Sequence, residues 1–210
     1  AQGTAKLFGV DLMDNFNRPY LALGITDFWK RWHISLSTWF KDYLYIPLGG
    51  NRVSKSRWTF NVLLVFLLSG LWHGANYTFI VWGALHGIYY LIESFSPFKI
   101  KSVFSKGLLT FIGVCFAWIF FRAADFNQAL DVMKGMLAQL GGEKQLDTPA
   151  FVFVLLAIFG AIELWRSNQR FDAFCNRFNA VGRWGLYAFL IFCILVLSGS
   201  EYQAFIYFRF

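Results

Sequence analysis

A succession of apolar stretches, each closed off by charged or turn-forming residues, sets the main limit on how this chain can fold. They run from Trp58 to Leu71, Tyr77 to Ile92, Gly107 to Phe121, Pro149 to Trp165 and Trp184 to Leu197, the last extending toward Phe208. A helix needs about 20 residues to cross about 30 Å of hydrocarbon. Several of these stretches fall short, so polar helix ends and interfacial aromatics must complete the spans. Composition agrees with a lipid-facing surface, because 57% of residues are hydrophobic and 15% charged, where soluble domains carry roughly 25% charged. The 26 Phe, 9 Trp and 9 Tyr exceed what one small core can hide and suit the aromatic belts of a membrane protein. The expected fold is an all-α, polytopic membrane helical bundle with re-entrant or interfacial amphipathic helices. Intrinsic disorder is excluded, and a water-soluble monomer is not expected.

The net charge of +7 acquires meaning from its placement. Residues 58–95 read as a helical hairpin turning at His73-Gly74-Ala75-Asn76, which puts Arg52, Lys55 and Arg57 on the same side as Lys99, Lys101 and Lys106. Three further spans with amphipathic connectors fill 107–208 and add Arg166, Arg170, Arg177 and Arg183 to that side. Arg122, Lys134 and Lys144 fall opposite, so the ratio is ten to three, or ten to four with Arg209. By the positive-inside rule the richer side is cytoplasmic. The His73 turn then points toward the membrane interior or its far face.

Between the spans, Asp125 to Gln139 shows helical apolar spacing suited to a surface-lying helix, and Phe171 to Arg183 is a basic counterpart. The segment 27–50, DFWKRWHISLSTWFKDYLYIPLGG, reads as an interfacial or re-entrant helix. Thr26 or Asp27 can cap it. Trp32, Leu36, Trp39 and Tyr43 form one stripe beside His33, Ser37 and Phe40, and Pro47 with Gly49-Gly50 ends it. Its interleaved aromatic and basic residues resemble a nucleic-acid groove only superficially, since no sustained basic tract follows. No nucleic-acid partner is expected. The chain opens on Ala1 without a signal pattern, and its first twenty residues read like the middle of a longer protein.

Few residues can carry chemistry. Cys115, Cys175 and Cys193 are odd in number and lack a CxxC pair, so they read as buried small apolar residues. His33, His73 and His86 are the only histidines, and none has metal-ligand spacing; no metal is expected. His73, in GLWHGAN, is either a functional intramembrane ionisable group or a ring that hydrogen-bonds a carbonyl at a helix end. His86 lies in a small-xxx-small setting with Gly83 and Gly87 that favours helix packing or an interhelical hydrogen bond. Its stripe continues through Tyr90 and Glu93, lining a polar cavity or emerging into the headgroups.

Three blocks then converge: Asn15-Phe16 with Pro19-Tyr20, FWKRWHISLSTWFKDYLYIPLGGNR from Phe28 to Arg52, and GLWHGANYTFIVWGALHG from Gly70 to Gly87. With the ending FIYFRF, they closely resemble the membrane-bound O-acyltransferases, in the bacterial alginate O-acetylation branch. Family members are about twice as long, so the resemblance implies a carboxyl-terminal portion. It further implies that His73 is the catalytic histidine and that His33 is the second histidine of the site. The activity implied is transfer of an acyl group, expected to be acetyl, to a hydroxyl of an exopolysaccharide or an extracytoplasmic relay protein. Acetyl-CoA or another acyl thioester would be the donor, with no tightly bound cofactor and no assigned cofactor-binding residues. Implied partners are the lipid bilayer, an extracytoplasmic acetyltransferase or polysaccharide-modifying protein, and the amino-terminal half of the same protein. The location implied is the bacterial inner membrane, multi-pass. A non-enzymatic transporter, channel fragment or scaffold that recruits a soluble transferase is the competing class, weakened because Glu93 and Glu163 both lie near span ends.

Overall fold

The computed structural model describes residues 2–97, 100–140, 150–165, 173 and 175–197. Among these the chain is all-helical, with no strand. It divides into two compact units, residues 1–146 and 147–210. The first contains α1 (Gln2–Leu7), a 3₁₀ turn at Pro19–Leu21, α2 (Ile25–Trp29), and α3 (Ile34–Phe40) running into a π-helical turn at Lys41–Tyr45. Longer helices follow: α4 (Lys55–His73), α5 (Tyr77–Phe95), α6 (Val103–Arg122) and α7 (Phe126–Leu140). In the second unit, α8 (Ala150–Trp165) and α9 (Ala180–Leu197) are both strongly apolar.

Helices α4 and α5 form an antiparallel hairpin whose closeness depends on glycine. A Cβ at Gly70 would fall 2.2 Å from the Phe79 carbonyl oxygen, and one at Gly83 would fall 2.3 Å from that of Phe66. Any side chain there must push the helices apart, as at other small-residue crossings. Caps define the ends: Ser54 accepts the Arg57 amide at α4, Asn76 that of Thr78 at α5, and Ser102 that of Ser105 at α6. At α7, Asp125 accepts the Gln128 amide at 2.8 Å while the Gln128 side chain accepts the Ala124 amide at 2.6 Å, a reciprocal arrangement akin to a capping box. Ala129 of α7 is buried while Val132, Met136 and Leu137 are exposed. A compact aromatic core joins α2, α5 and α6 through Phe28, Trp82, Val114, Ala117 and Phe120.

Among the described residues, α6 is the helix long and apolar enough to cross a membrane. Val152–Trp165 and Ala180–Leu195 are apolar but shorter. Helices α4 and α5 have 19 residues each, about 28 Å of rise; α4 carries Lys55, Arg57, Asn61 and His73, and α5 carries His86 and Glu93. The continuation toward Phe208, the FIYFRF ending, Phe171, Asp172, Phe174, and Lys99, Lys144, Arg166, Arg170 and Arg209 lie outside the described residues. The described part of 171–183 is not one amphipathic helix: the backbone turns at 176–178, and α9 begins at Ala180.

The segment 27–50 departs from the sequence expectation. Instead of one helix, the chain breaks at His33, whose φ of 44° and ψ of 54° are left-handed. The stripe of Trp32, Leu36, Trp39 and Tyr43 is thereby divided. Neither Thr26 nor Asp27 caps α2, which begins behind Gly24; its first amides, those of Ile25 and Thr26, donate to the Glu93 carboxylate of α5. Asp27 instead accepts the Leu23 amide at 3.0 Å and Arg31 Nε at 2.7 Å. At α3, Asn15 Oδ1 accepts both the Ser35 amide at 2.9 Å and the Ser35 hydroxyl at 2.7 Å. A left-handed non-glycine residue costs energy, and these long-range bonds hold the chain in place around it. The end of the segment is as its glycines predict, with φ of 99° at Gly49 and 55° at Gly50.

Candidate active site

His73 is the last residue of α4, so its ring leaves the helix where the backbone turns toward α5. Aromatic edges and faces surround it: Trp72 and Phe121 at 4.9 Å between ring centroids, and Trp82 at 5.2 Å. The turn itself is fixed from two directions. A Cβ at Gly74 would meet the Phe79 ring at 2.7 Å, which makes a larger residue there collide with α5. Asn76 caps α5 through Oδ1 and donates from Nδ2 to the Ala124 carbonyl at 2.6 Å. That second bond ties the His73 turn to the α6–α7 connection.

His33 arrives from a different part of the chain, between α2 and α3. Its ring lies 6.3 Å from Trp72 and 6.1 Å from Phe16. Trp72 is therefore the common neighbour that brings the RWH and LWHG blocks together. Burial lowers the His33 pKa below the ordinary imidazole value, with a backbone hydrogen bond partly opposing it, so the ring is neutral at neutral pH. In the same segment, burial works against the charge of Asp27, but its bonds to Arg31 and the Leu23 amide hold its carboxyl below the usual range.

His86 has a different environment. It is fully buried, nearly parallel to Phe28 at 5.9 Å and edge-on to Trp29 at 5.0 Å and Trp82 at 4.9 Å. Neither ring nitrogen has a hydrogen-bond partner among the described residues. Of the two roles expected for it, packing is what the structure displays. Tyr90 and Glu93, on the same face of α5, diverge in role: Tyr90 lines a cavity, while Glu93 reaches α2.

That cavity has a volume of about 800 Å³. One wall is α4 from Val62 to Ser69, and the facing walls bring Thr26, Trp29 and Ser37 together with Gly49-Gly50. Ser69 stands one helical turn before His73, and Ser37 one turn after His33. Lys30, Lys41 and Arg52 supply positive charge to an otherwise largely apolar lining. The Tyr45 hydroxyl accepts Trp58 Nε1 at 2.8 Å, and Asn61 Nδ2 donates to the Leu48 carbonyl at 3.0 Å. These two bonds anchor the 41–50 wall to α4. Among the described residues, no three His, Cys, Asp or Glu side chains are grouped as a metal would require.

Comparison with known proteins places this geometry in context. The profile of the membrane-bound O-acyltransferase family matches residues 3–126, which include both histidine blocks and the cavity. The chain belongs to the membrane-bound O-acyltransferase family. It is 38% identical over 239 aligned positions to a probable alginate O-acetylase of Pseudomonas putida, covering all of this chain and 49% of that protein. It is 48% identical over 147 positions to a peptidoglycan O-acetyltransferase of Helicobacter pylori, covering 67% of this chain and 28% of the relative. A teichoic acid D-alanyltransferase of Bacillus subtilis is 30% identical over 145 positions, with 60% and 36% covered. The chain thus spans about half the length of the first relative and less of the others.

The sequence names Asn15, Asn76 and Glu93 but not the positioning contacts they make here. Asn76 was legible, since an Asn directly before a helical run is a cap signal, but its bond to Ala124 was not. Asn15 and Glu93 act across 20 and 68 residues, and no local pattern marks such partners.

Proposed function

We propose that this chain is the carboxyl-terminal part of a multi-pass inner-membrane O-acyltransferase. The enzyme moves an acyl group, acetyl in the first instance, from a cytoplasmic thioester to a hydroxyl on an exopolysaccharide or an extracytoplasmic relay protein. The relatives' names concern alginate, peptidoglycan and teichoic acid, which supports a polymer-modifying system with partner proteins. One observation carries the reading: the two histidines of the family blocks share Trp72 as a neighbour, and a largely apolar cavity with Lys30, Lys41 and Arg52 in its lining reaches Ser37 and Ser69, one helical turn from each histidine, without including either ring. That lining suits a donor with an anionic head and a narrow thioester arm, and it follows α4 for about 10 Å between Val62 and Ser69. The basic flank of α4 at Arg52 and Lys55 fits donor access from the cytoplasm.

In this mechanism neutral His73 takes the proton of the acceptor hydroxyl as its oxygen attacks the thioester carbonyl. The new ester bond forms, the carbon–sulfur bond breaks, and the departing thiolate recovers a proton. General-base assistance of this kind contributes about 10²–10⁴-fold. His33, across Trp72, orients a substrate or supports the wall. In the complete protein, His73→Ala is expected to reduce transfer of radiolabelled acetyl from acetyl-CoA by about 10³-fold while membrane insertion is unchanged. Retained transfer overturns the base assignment, and solute flux without label transfer favours a transporter.

A further inference from the structure

We infer that Glu93 is a positioning residue: its carboxylate braces α2 from α5 and so sets one wall of the donor cavity. The inference rests on the acyl-transfer reading of that cavity. Helix α2 has only five residues and no side-chain cap from its own N-cap position, Gly24. An isolated helix that short has no stability of its own, and its first amides need acceptors from elsewhere. Glu93, 68 residues away in sequence, receives the amides of Ile25 and Thr26. The fit leaves no room for another side chain, since a Cβ at Gly24 would lie 2.8 Å from both carboxylate oxygens. A negative charge at a helix N-terminus is also electrostatically favourable.

What α2 carries makes the brace functional. Thr26, Trp29 and the next residue, Lys30, all line the cavity, as does Tyr90, one turn before Glu93 on α5. Releasing the carboxylate frees the end of the element that presents these groups. The chain then continues directly through Arg31 and Trp32 to the left-handed His33. Glu93 touches neither histidine, and its action passes through α2.

Two readouts in the complete protein test this, using Glu93→Ala and Glu93→Gln with acetyl-CoA as the probe donor. Hydrogen exchange at the Ile25 and Thr26 amides is expected to rise about tenfold or more in Glu93→Ala. It should rise less in Glu93→Gln, whose amide oxygen still accepts. The KM for acetyl-CoA is expected to rise about fivefold or more in Glu93→Ala, with kcat reduced less, and to be partly restored by Gln. A merely structural residue would lower the amount of active enzyme and leave KM unchanged. Unaltered exchange in Glu93→Ala overturns the brace; increased exchange with unaltered KM overturns its role in shaping the cavity. If the wild type transfers no acetyl while the exchange pattern holds, the acyl-transfer reading fails and the brace stands.

Discussion

The turn that carries His73 is set mainly by its own neighbourhood in the chain, with Phe121 of α6 and Ala124 just beyond it closing the turn, whereas His33 is placed by residues that arrive from far away. Around His73, a helix end, Gly74 and the Asn76 cap lie within four consecutive residues, and Gly70 and Gly83 bring the two helices of the hairpin together. Around His33, α2 is capped by Glu93 and α3 by Asn15, and the residue between them is left-handed. A site built half from local and half from remote contacts can lose one half while retaining the other. The hairpin can persist when the RWH segment loosens, whereas displacing α5 removes the Glu93 cap and the Trp29–Trp82 packing, leaving the segment held by Asn15 and by Trp118 of α6.

The sharpest way to break this comparison is Gly70→Val. The Phe79 carbonyl at 2.2 Å from the added Cβ is backbone and cannot rotate away, so overpacking should cost about 3 kcal/mol or more. Thermal unfolding in detergent should show both halves of the site lost together; survival of the RWH segment alone would contradict the dependence on α5. Next come paired substitutions at His33. His33→Val puts a β-branched residue at φ 44° and should destabilise by about 1–2 kcal/mol, while His33→Asn tolerates that conformation and removes only the imidazole. Equal unfolding midpoints for the two variants would show that the left-handed turn stores no strain. Smaller still is Asn76→Ala, which removes a cap and the Ala124 bond for about 1 kcal/mol. In the complete protein, and on the acyl-transfer reading, its expected signature is a modest fall in unfolding midpoint together with lower acetyl transfer. Unchanged transfer would show that His73 does not need the α6–α7 tie.

The same contrast explains what could be read before the structure. The hairpin was legible because an apolar run, a glycine-rich turn and an Asn cap are all signals within a few residues of one another. The aromatic stripe of 27–50 has equally good helical spacing, but it breaks at His33. Periodicity reports which residues are apolar, and only tertiary contacts decide whether one axis carries them all. Amphipathic α7 was visible in its apolar spacing, and its Asp125–Gln128 pair was a readable cap that strengthens it. The grouping of Lys30, Lys41 and Arg52 around one cavity had no sequence signal, because these residues have no common spacing and meet only after the chain turns at His33 and again at Gly49-Gly50.

The indoles of the aromatic core have an optical consequence. Trp29 lies 5.8 Å from Trp82, Trp82 lies 5.9 Å from Trp118, and Trp118 lies 5.0 Å from Trp32, a chain of chromophores from the RWH segment through α5 to α6. At such separations excitation passes between neighbouring rings, and their coupled transitions imprint a near-ultraviolet circular dichroism signal that independent tryptophans lack. The protein therefore contains its own reporter of the RWH segment: displacement of α2 alone would break the coupling at Trp29 while the Trp82–Trp118 pair continued to absorb as before.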